Sequence, residues 1–234
     1  MVTLVSLPKP FRGHAEVIQR NAIRSWTRLR PACQIILLGD DDGTAEMARE
    51  CGAHHVPEVA RNEFGTPLLD SAFAAAERVA TGDLLCYLNA DIILMSDFMA
   101  TVTRLAGQMR RFLMIGQRCN VHIAGPWDFD QPDWEHHLRS YARRHGTLSG
   151  LFYGADYFVF TRGLWQTLPP LAIGRYFWDT WLIFRARSLG VPVFDATDCV
   201  VAVHQAHDYS HAPTVNAWVS APEARRNLTL SGGY

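Results

Sequence analysis

The 234-residue sequence predicts an α/β fold with a mostly parallel central sheet flanked by helices. Three observations carry that prediction. Strand-like and helix-like patterns alternate through the first half, the order that right-handed strand–helix–strand crossovers produce. The run CQIILLGD (33–40) is apolar almost throughout, as in a strand covered on both faces. Polar residues follow the apolar runs at their carboxyl ends, where open parallel sheets gather ligands.

Each element has its own signal. VTLVSL (2–7) reads as a strand, and residues 14–30 place Ile18, Ala22, Trp26 and Leu29 on one helical face. GTAEMAREC (43–51) is a short helix and HHVPEV (54–59) a short strand. PLLDSAFAAAERVA (67–80) predicts a helix with Pro67 in its first turn, broken by Gly82 before the strand LLCYLN (84–89). Ser96 is expected to cap a helix over 97–109, and RFLMIGQ (111–117) to form the next strand. Aromatics and turns then dominate: GPWDFDQPDWEHHL with a helix from about 133, FYGADYFVF, RYFWDTWLIFRARSLG and PVFDATDCVVAVHQAHDYSH. The segment 118–135 is expected to be a loop able to close over a ligand. No repeat or linker interrupts the chain, so one domain is expected over 1–234, with a nucleotide-binding half (about 1–95) and a mixed half (about 96–234).

Bulk composition narrows the function classes. Lys and Arg total 22 and Asp and Glu 23, a net charge of −1, which argues against a nucleic-acid binder. No run of about 18 apolar residues suggests a membrane span, and the opening MVTLVSLPKP is too short for a signal-peptide apolar region. The cysteines at 33, 51, 86, 119 and 199 never form CxxC and read as reduced thiols of a cytoplasmic protein. The sequon NLT (227–229) then carries no glycan.

Three constellations point to chemistry. Asn89-Ala90-Asp91 sits at the end of an apolar strand, although a buried carboxylate is costly unless paired. At strand spacing Asn89 and Asp91 point the same way. A hard cation such as Mg²⁺ or Mn²⁺ takes oxygen ligands and bridges few protein groups to a diphosphate. Asp91 is therefore the candidate ligand, with Asn89 toward a ribose or a metal-bound water; a strand end capped on local backbone amides is the bland alternative. The sequence lacks GxGxxG and GxxxxGK[ST], so any bound phosphate needs a metal to share the neutralising. HQAHDYSH (204–211) follows an apolar strand, and His204 or His207 could close the coordination of an ion on Asp91; a polar surface loop is the alternative. Asp156 in GADYFVF and Asp179 in RYFWDTWLIF lie among aromatics, where desolvation raises a carboxyl pKa. Asp179 near a helix start could equally be a cap. Aromatic walls beside acids also suit carbohydrate.

These pieces, above all GTPLLDSAFAAAERVATGDLLCYLNADIIL, resemble the donor half of nucleotide-sugar glycosyltransferases of the A-type fold, closest to the family-2-like group. The order of elements matches over about residues 2–210. Asn89 departs from the first acidic position of the DxD-type motif, while Asp91 matches the last. The resemblance implies a Rossmann-like fold with a donor half and an acceptor half, a nucleoside-diphosphate sugar (UDP-linked by preference), and Mn²⁺ or Mg²⁺. It implies that Pro8, Asp40, Asp41 and Gly65 join Asn89 and Asp91 in the donor site. Asp179 beside Trp178 resembles the general base of inverting members, His204 the third metal ligand, and Asp156 with Trp178 would belong to the acceptor site. The acceptor would be a carbohydrate or a lipid-linked sugar in glycan or polysaccharide biosynthesis, reached peripherally at a membrane. Separately, the ending LTLSGGY carries no clear stop signal, so the chain is expected to be part of a longer multidomain protein. Rival readings are a nucleotidyltransferase, a metal-dependent phosphoesterase built on Asp91, His204, His207 and Asp208, and a non-catalytic nucleotide-sugar-binding domain.

Overall fold

A computed structural model describes residues 1–148, 155–207 and 219–233. Its strands are β1 Val2–Ser6, β2 Gln34–Leu38, β3 His54–Val56, β4 Leu84–Leu88, β5 Ile92–Ile93, β6 Leu113–Val121, β7 Thr147–Leu148, β8 Ala155–Thr161, β9 Val193–Asp195 and β10 Ala202–Gln205. The helices are α1 Gly13–Thr27, α2 Thr44–Cys51, α3 Leu69–Val79, α4 Ser96–Gln108, α5 Trp134–His145, α6 Trp178–Ser188 and α7 Pro222–Leu230. One sheet runs β3-β2-β1-β4-β8-β6-β10-β5, with β7 and β9 added on β6. The β1–β2, β1–β4 and β2–β3 pairs are parallel, as the alternating pattern requires. β8 runs antiparallel between β4 and β6, and β10 runs parallel to β6.

The apolar strands are covered on both faces. Leu4, Leu37 and Cys86 pack with Trp26 of α1, Met47 of α2 and Phe98 of α4. Val5, Ile36 and Tyr87 pack with Phe73 of α3 and Trp181 of α6. Each such buried side chain contributes about 1.5–3 kcal/mol. A third cluster joins α5, through Trp134 and Leu138, to Ile93, Val121 and Val203.

Several sequence expectations shift. Strand β8, from the second half, lies directly beside β4, so both halves contribute strands to one sheet. Pro67 precedes α3 and forms a bridge with Arg61 instead of opening the helix. Ser96 is the first residue of α4, not its cap, and its hydroxyl donates to Glu135 at 2.5 Å. The expected loop at 118 is still strand: β6 runs to Val121, and the following turn is pinned to α1. Asn21 donates to the Gly125 carbonyl (3.1 Å) and accepts from the Trp127 N–H (2.9 Å). Residues 119–135 do not line the pocket described below. Asn227 of the sequon is buried and hydrogen-bonded within the fold. Among the described residues no helix is long and apolar enough to cross a membrane.

Candidate functional site

The carboxyl ends of β1, β2 and β4 open on one pocket of about 730 Å³, a size suited to small-molecule ligands. The chain leaving β1 is fixed by the buried Gln19 of α1, which accepts from the Lys9 N–H (2.6 Å) and donates to its carbonyl (2.9 Å). Pro8 and Lys9 thereby form one wall. After β2, Arg61 binds both Asp40 and Asp41 at 3.0 Å, but only Asp41 lines the pocket; Asp40 is exposed outside it. Gly65 lines the same wall at φ +78°, a left-handed conformation that favours glycine, and its carbonyl accepts from Arg61 at 3.0 Å.

Asp91 lies between β4 and β5, and the antiparallel β5–β10 register sets His204 beside Ile92. Both imidazoles aim Nε2 at one oxygen of Asp91, His207 at 3.1 Å and His204 at 3.6 Å. The three candidate ligand atoms lie within 4.8 Å of one another. The other oxygen, Oδ1, is buried with no hydrogen-bond partner among the described residues. Burial opposes ionisation of Asp91, yet the two histidines override it and hold the carboxyl below its usual range. Gln205, fully buried, supports the tip: its Nε2 donates to the Asp91 carbonyl at 3.1 Å and to the Ile18 carbonyl at 2.7 Å. Asp208 and His211 lie outside the described residues.

The opposite wall carries the other acids. Asp156, at the head of β8, accepts from Asn89 Nδ2 (2.7 Å) and from Arg118 of β6 (2.9 Å). Burial pushes its carboxyl upward while Arg118 draws it back. Asp179 is the second residue of α6, behind Phe177 at φ +80°; its Oδ1 accepts the Thr180 N–H at 2.8 Å. Phe177, not Asp179, holds the N-cap position, so the cap alternative fails in its simple form. Burial raises the Asp179 carboxyl to about 6, partly offset by the Thr180 N–H. Trp178 lines the pocket but is buried, packing edge-on to Tyr87 with ring centroids 5.4 Å apart. It belongs to the core as much as to the wall.

A further clasp comes from α7, a helix that none of the sequence patterns above marks. Glu223 of α7 is buried and joins Asn62 (2.7 Å) to Arg175 (2.6 Å), tying the Gly65 loop to the segment before α6. Asn227 adds bonds to both backbone groups of Ala172 and to the Tyr176 carbonyl. Arg118 was equally hidden, since the strand pattern fades at residue 117; a charge within an otherwise regular nine-residue strand was its one available mark.

No protein-family model matches the chain, and no curated protein sequence matches it. Solved structures do. Glucosyl-3-phosphoglycerate synthase from M. tuberculosis aligns over 99% of this chain and 81% of its own, with 17% identity and a TM-score of 0.57. The same synthase is known in complex with Mn²⁺, uridine diphosphate and glucosyl-3-phosphoglycerate. The mannosyltransferase PcManGT from Pyrobaculum calidifontis, in complex with GDP-mannose and Mn²⁺, aligns over 89% of this chain and 57% of its own, with 17% identity and a TM-score of 0.54. TarS (1–349) of S. aureus aligns over 87% and 60%, with 8% identity and a TM-score of 0.57. What the chain shares with them is the A-type glycosyltransferase fold.

Proposed function

On the premise of that shared fold, we propose that this chain is a metal-dependent glycosyltransferase moving a sugar from a nucleoside diphosphate, UDP by preference, to an acceptor hydroxyl. The observation that carries the reading is the convergence, in one pocket, of the Asp91–His204–His207 cluster and an acid whose carboxyl is raised to about 6.

Asp91, His204 and His207 would hold Mn²⁺ or Mg²⁺. The orphaned Oδ1 of Asp91 and the mixed carboxylate–imidazole set fit such an ion, and two imidazoles favour Mn²⁺ over Mg²⁺. When bound, the ion supplies Lewis-acid neutralisation of the diphosphate. Pro8, Asp41 and Gly65 would cradle the nucleoside. Asp40, exposed outside the pocket, would act only through Arg61. Asp156 and Trp178 would line the acceptor side.

Asp179 takes the proton of the acceptor hydroxyl. The bond from the anomeric carbon to the leaving phosphate oxygen breaks as the bond to the acceptor oxygen forms, on the opposite face, so configuration inverts. A carboxyl titrating near 6 is ionised at neutral pH yet basic enough for this step. The acceptor class supported best is a carbohydrate or lipid-linked sugar, because Tyr176 and Trp178 flank Asp179 on the pocket wall.

The test is donor turnover with and without Mn²⁺, together with calorimetry of UDP–Mn²⁺ on the parent and Asp91→Asn. Release of nucleoside diphosphate and a strong loss of binding in the variant are expected. Release of inorganic phosphate would turn the reading toward a phosphoesterase, and unchanged affinity in the variant would remove Asp91 from the metal site.

A further inference from the structure

Building on the transferase reading, we propose that Asn89, Asp156 and Arg118 act as one positioning unit, a crossbar aligning the Asp91 strand tip with the wall that carries Asp179. In this unit residue 89 is an amide because its neighbour across the sheet already supplies the carboxylate.

The register brings the pair together. Leu88 of β4 faces Tyr157 of β8, so the next residues outward, Asn89 and Asp156, are cross-strand partners. Their backbones meet, Asn89 N–H to the Asp156 carbonyl at 3.2 Å. Their side chains meet as well, Asn89 Nδ2 donating to Asp156 Oδ1 at 2.7 Å. The second oxygen, Oδ2, accepts from Arg118 at 2.9 Å. Asp156 is 8% exposed, so both of its oxygens are bound by donors on the two flanking strands. Arg118 in turn sits beside Ala202 on β10, the strand that carries His204 two residues later. Four adjacent strands, β4, β8, β6 and β10, are thus linked across the floor of the pocket, with candidate metal groups at the two outer ones.

A carboxylate at 89 would face another at hydrogen-bond distance with no proton between them, and like charges so placed repel strongly. An amide donates instead. The crossbar therefore explains why the first acidic position of a DxD-type motif is Asn here. Residue 89 contributes alignment, and Asp91 alone provides the ionic contact at this strand end. Asp156 and Arg118 are positioning residues on the same footing, acting through the geometry of Asp91 and Asp179.

A charge-swap cycle tests this: Asn89→Asp, Asp156→Asn and the double variant N89D/D156N. In metal-free, chelated protein each single variant is expected to lower the melting midpoint by roughly 4–8 °C, the scale of a lost buried polar contact. The double variant, in which the pair is restored with its polarity reversed, is expected to return to within about 2 °C of the parent. In UDP–Mn²⁺ calorimetry N89D should weaken binding roughly tenfold, a coupling typical of contacting residues, and the double variant should recover most of it. If residue 89 were simply a vacant ligand position, N89D would tighten UDP–Mn²⁺ binding, and that result overturns the proposal. So does a double variant whose midpoint loss is the sum of the two singles. Should N89D fail to fold, the cycle with Asn89→Ala and Asp156→Ala decides: a double loss smaller than the sum supports the crossbar, and strict additivity rejects it. Failure of the parent to bind UDP–Mn²⁺ would end the transferase reading, while the metal-free midpoints still judge the crossbar.

Discussion

The two walls of the pocket are built in different ways. The first wall is made of strand tips: Pro8 after β1, Asp41 after β2, and Asn89 and Asp91 after β4. Its geometry follows from a parallel sheet whose carboxyl ends share an edge. The opposing wall, from Asp156 to Asp179, is held by side chains reaching across long stretches of sequence. Arg118 anchors Asp156 from β6, and Glu223 anchors Arg175 from α7. The electrostatics differ in the same sense. Asp91 is drawn below the usual carboxylate range by two histidines, whereas burial lifts Asp179 to about 6. On the proposed reading, the charge on the first wall would meet a cation and the raised acid on the second would exchange a proton.

The largest expected effect breaks the second wall alone. Asp179→Asn keeps the oxygen that accepts the Thr180 N–H, so fold and UDP–Mn²⁺ affinity should persist. Turnover should fall by roughly 10²–10⁴-fold. For the parent, kcat should rise with pH through about 6 as Asp179 ionises. Transfer by the variant at the parental rate would remove Asp179 from the chemistry.

Next in size is a contrast within the Asp91 cluster. His207 lies beyond the end of β10, and His204 is in the strand and 2% exposed. His207→Ala should weaken UDP–Mn²⁺ binding by at least about tenfold, in line with losses around metal sites, with little change in melting midpoint. His204→Ala should weaken binding similarly and also destabilise, because it hollows the sheet by part of a ring. Equal midpoints for the two variants would contradict that division.

This asymmetry explains what could be read from the sequence. Asp91 was legible because a carboxylate inside LLCYLNADIILM conflicts with burial, and His204 and His207 because an apolar run leads into them, although β10 itself extends through His204. Asp179 was legible from its aromatic neighbours. Gln205, Arg118 and Glu223 were not, since each matters through a partner 38 to 187 positions away that only the folded chain supplies. Boundaries failed for local reasons. Pro67 reads as a helix opener by type, yet the bridge to Arg61 holds it outside α3, and Ser96 reads as a cap, yet Glu135 captures its hydroxyl.

The clasp should show the mixed character of a support. Glu223→Ala leaves Arg175 and Asn62 without their shared partner, at a cost of about 1–3 kcal/mol and roughly 3–8 °C in midpoint. The acceptor KM and the UDP–Mn²⁺ Kd should both rise severalfold, because one carboxylate ties Arg175, ahead of the Asp179 helix, to the Gly65 loop. An acceptor effect with UDP–Mn²⁺ affinity unchanged would show that the Gly65 loop keeps its place without the clasp.

The smallest effect concerns the cost of holding Asp179 ready. Its carboxyl moves from 3.8 to about 6 on folding, with burial the main cause. Between those values the folded state keeps a proton that the unfolded state has released. Stability therefore falls as pH rises through the window, and above about 6 the whole penalty remains. Two units set a ceiling of about 3 kcal/mol, reduced by the opening of the side chain onto the pocket. Asp179→Asn carries no charge and escapes the penalty. At pH 7.5 the variant should melt roughly 2–6 °C above the parent, and near pH 4 the two should nearly coincide. A variant that instead melts below the parent by the same amount at both pH values would mark Asp179 as a structural hydrogen-bond acceptor, and the acid of the second wall would have to be sought elsewhere.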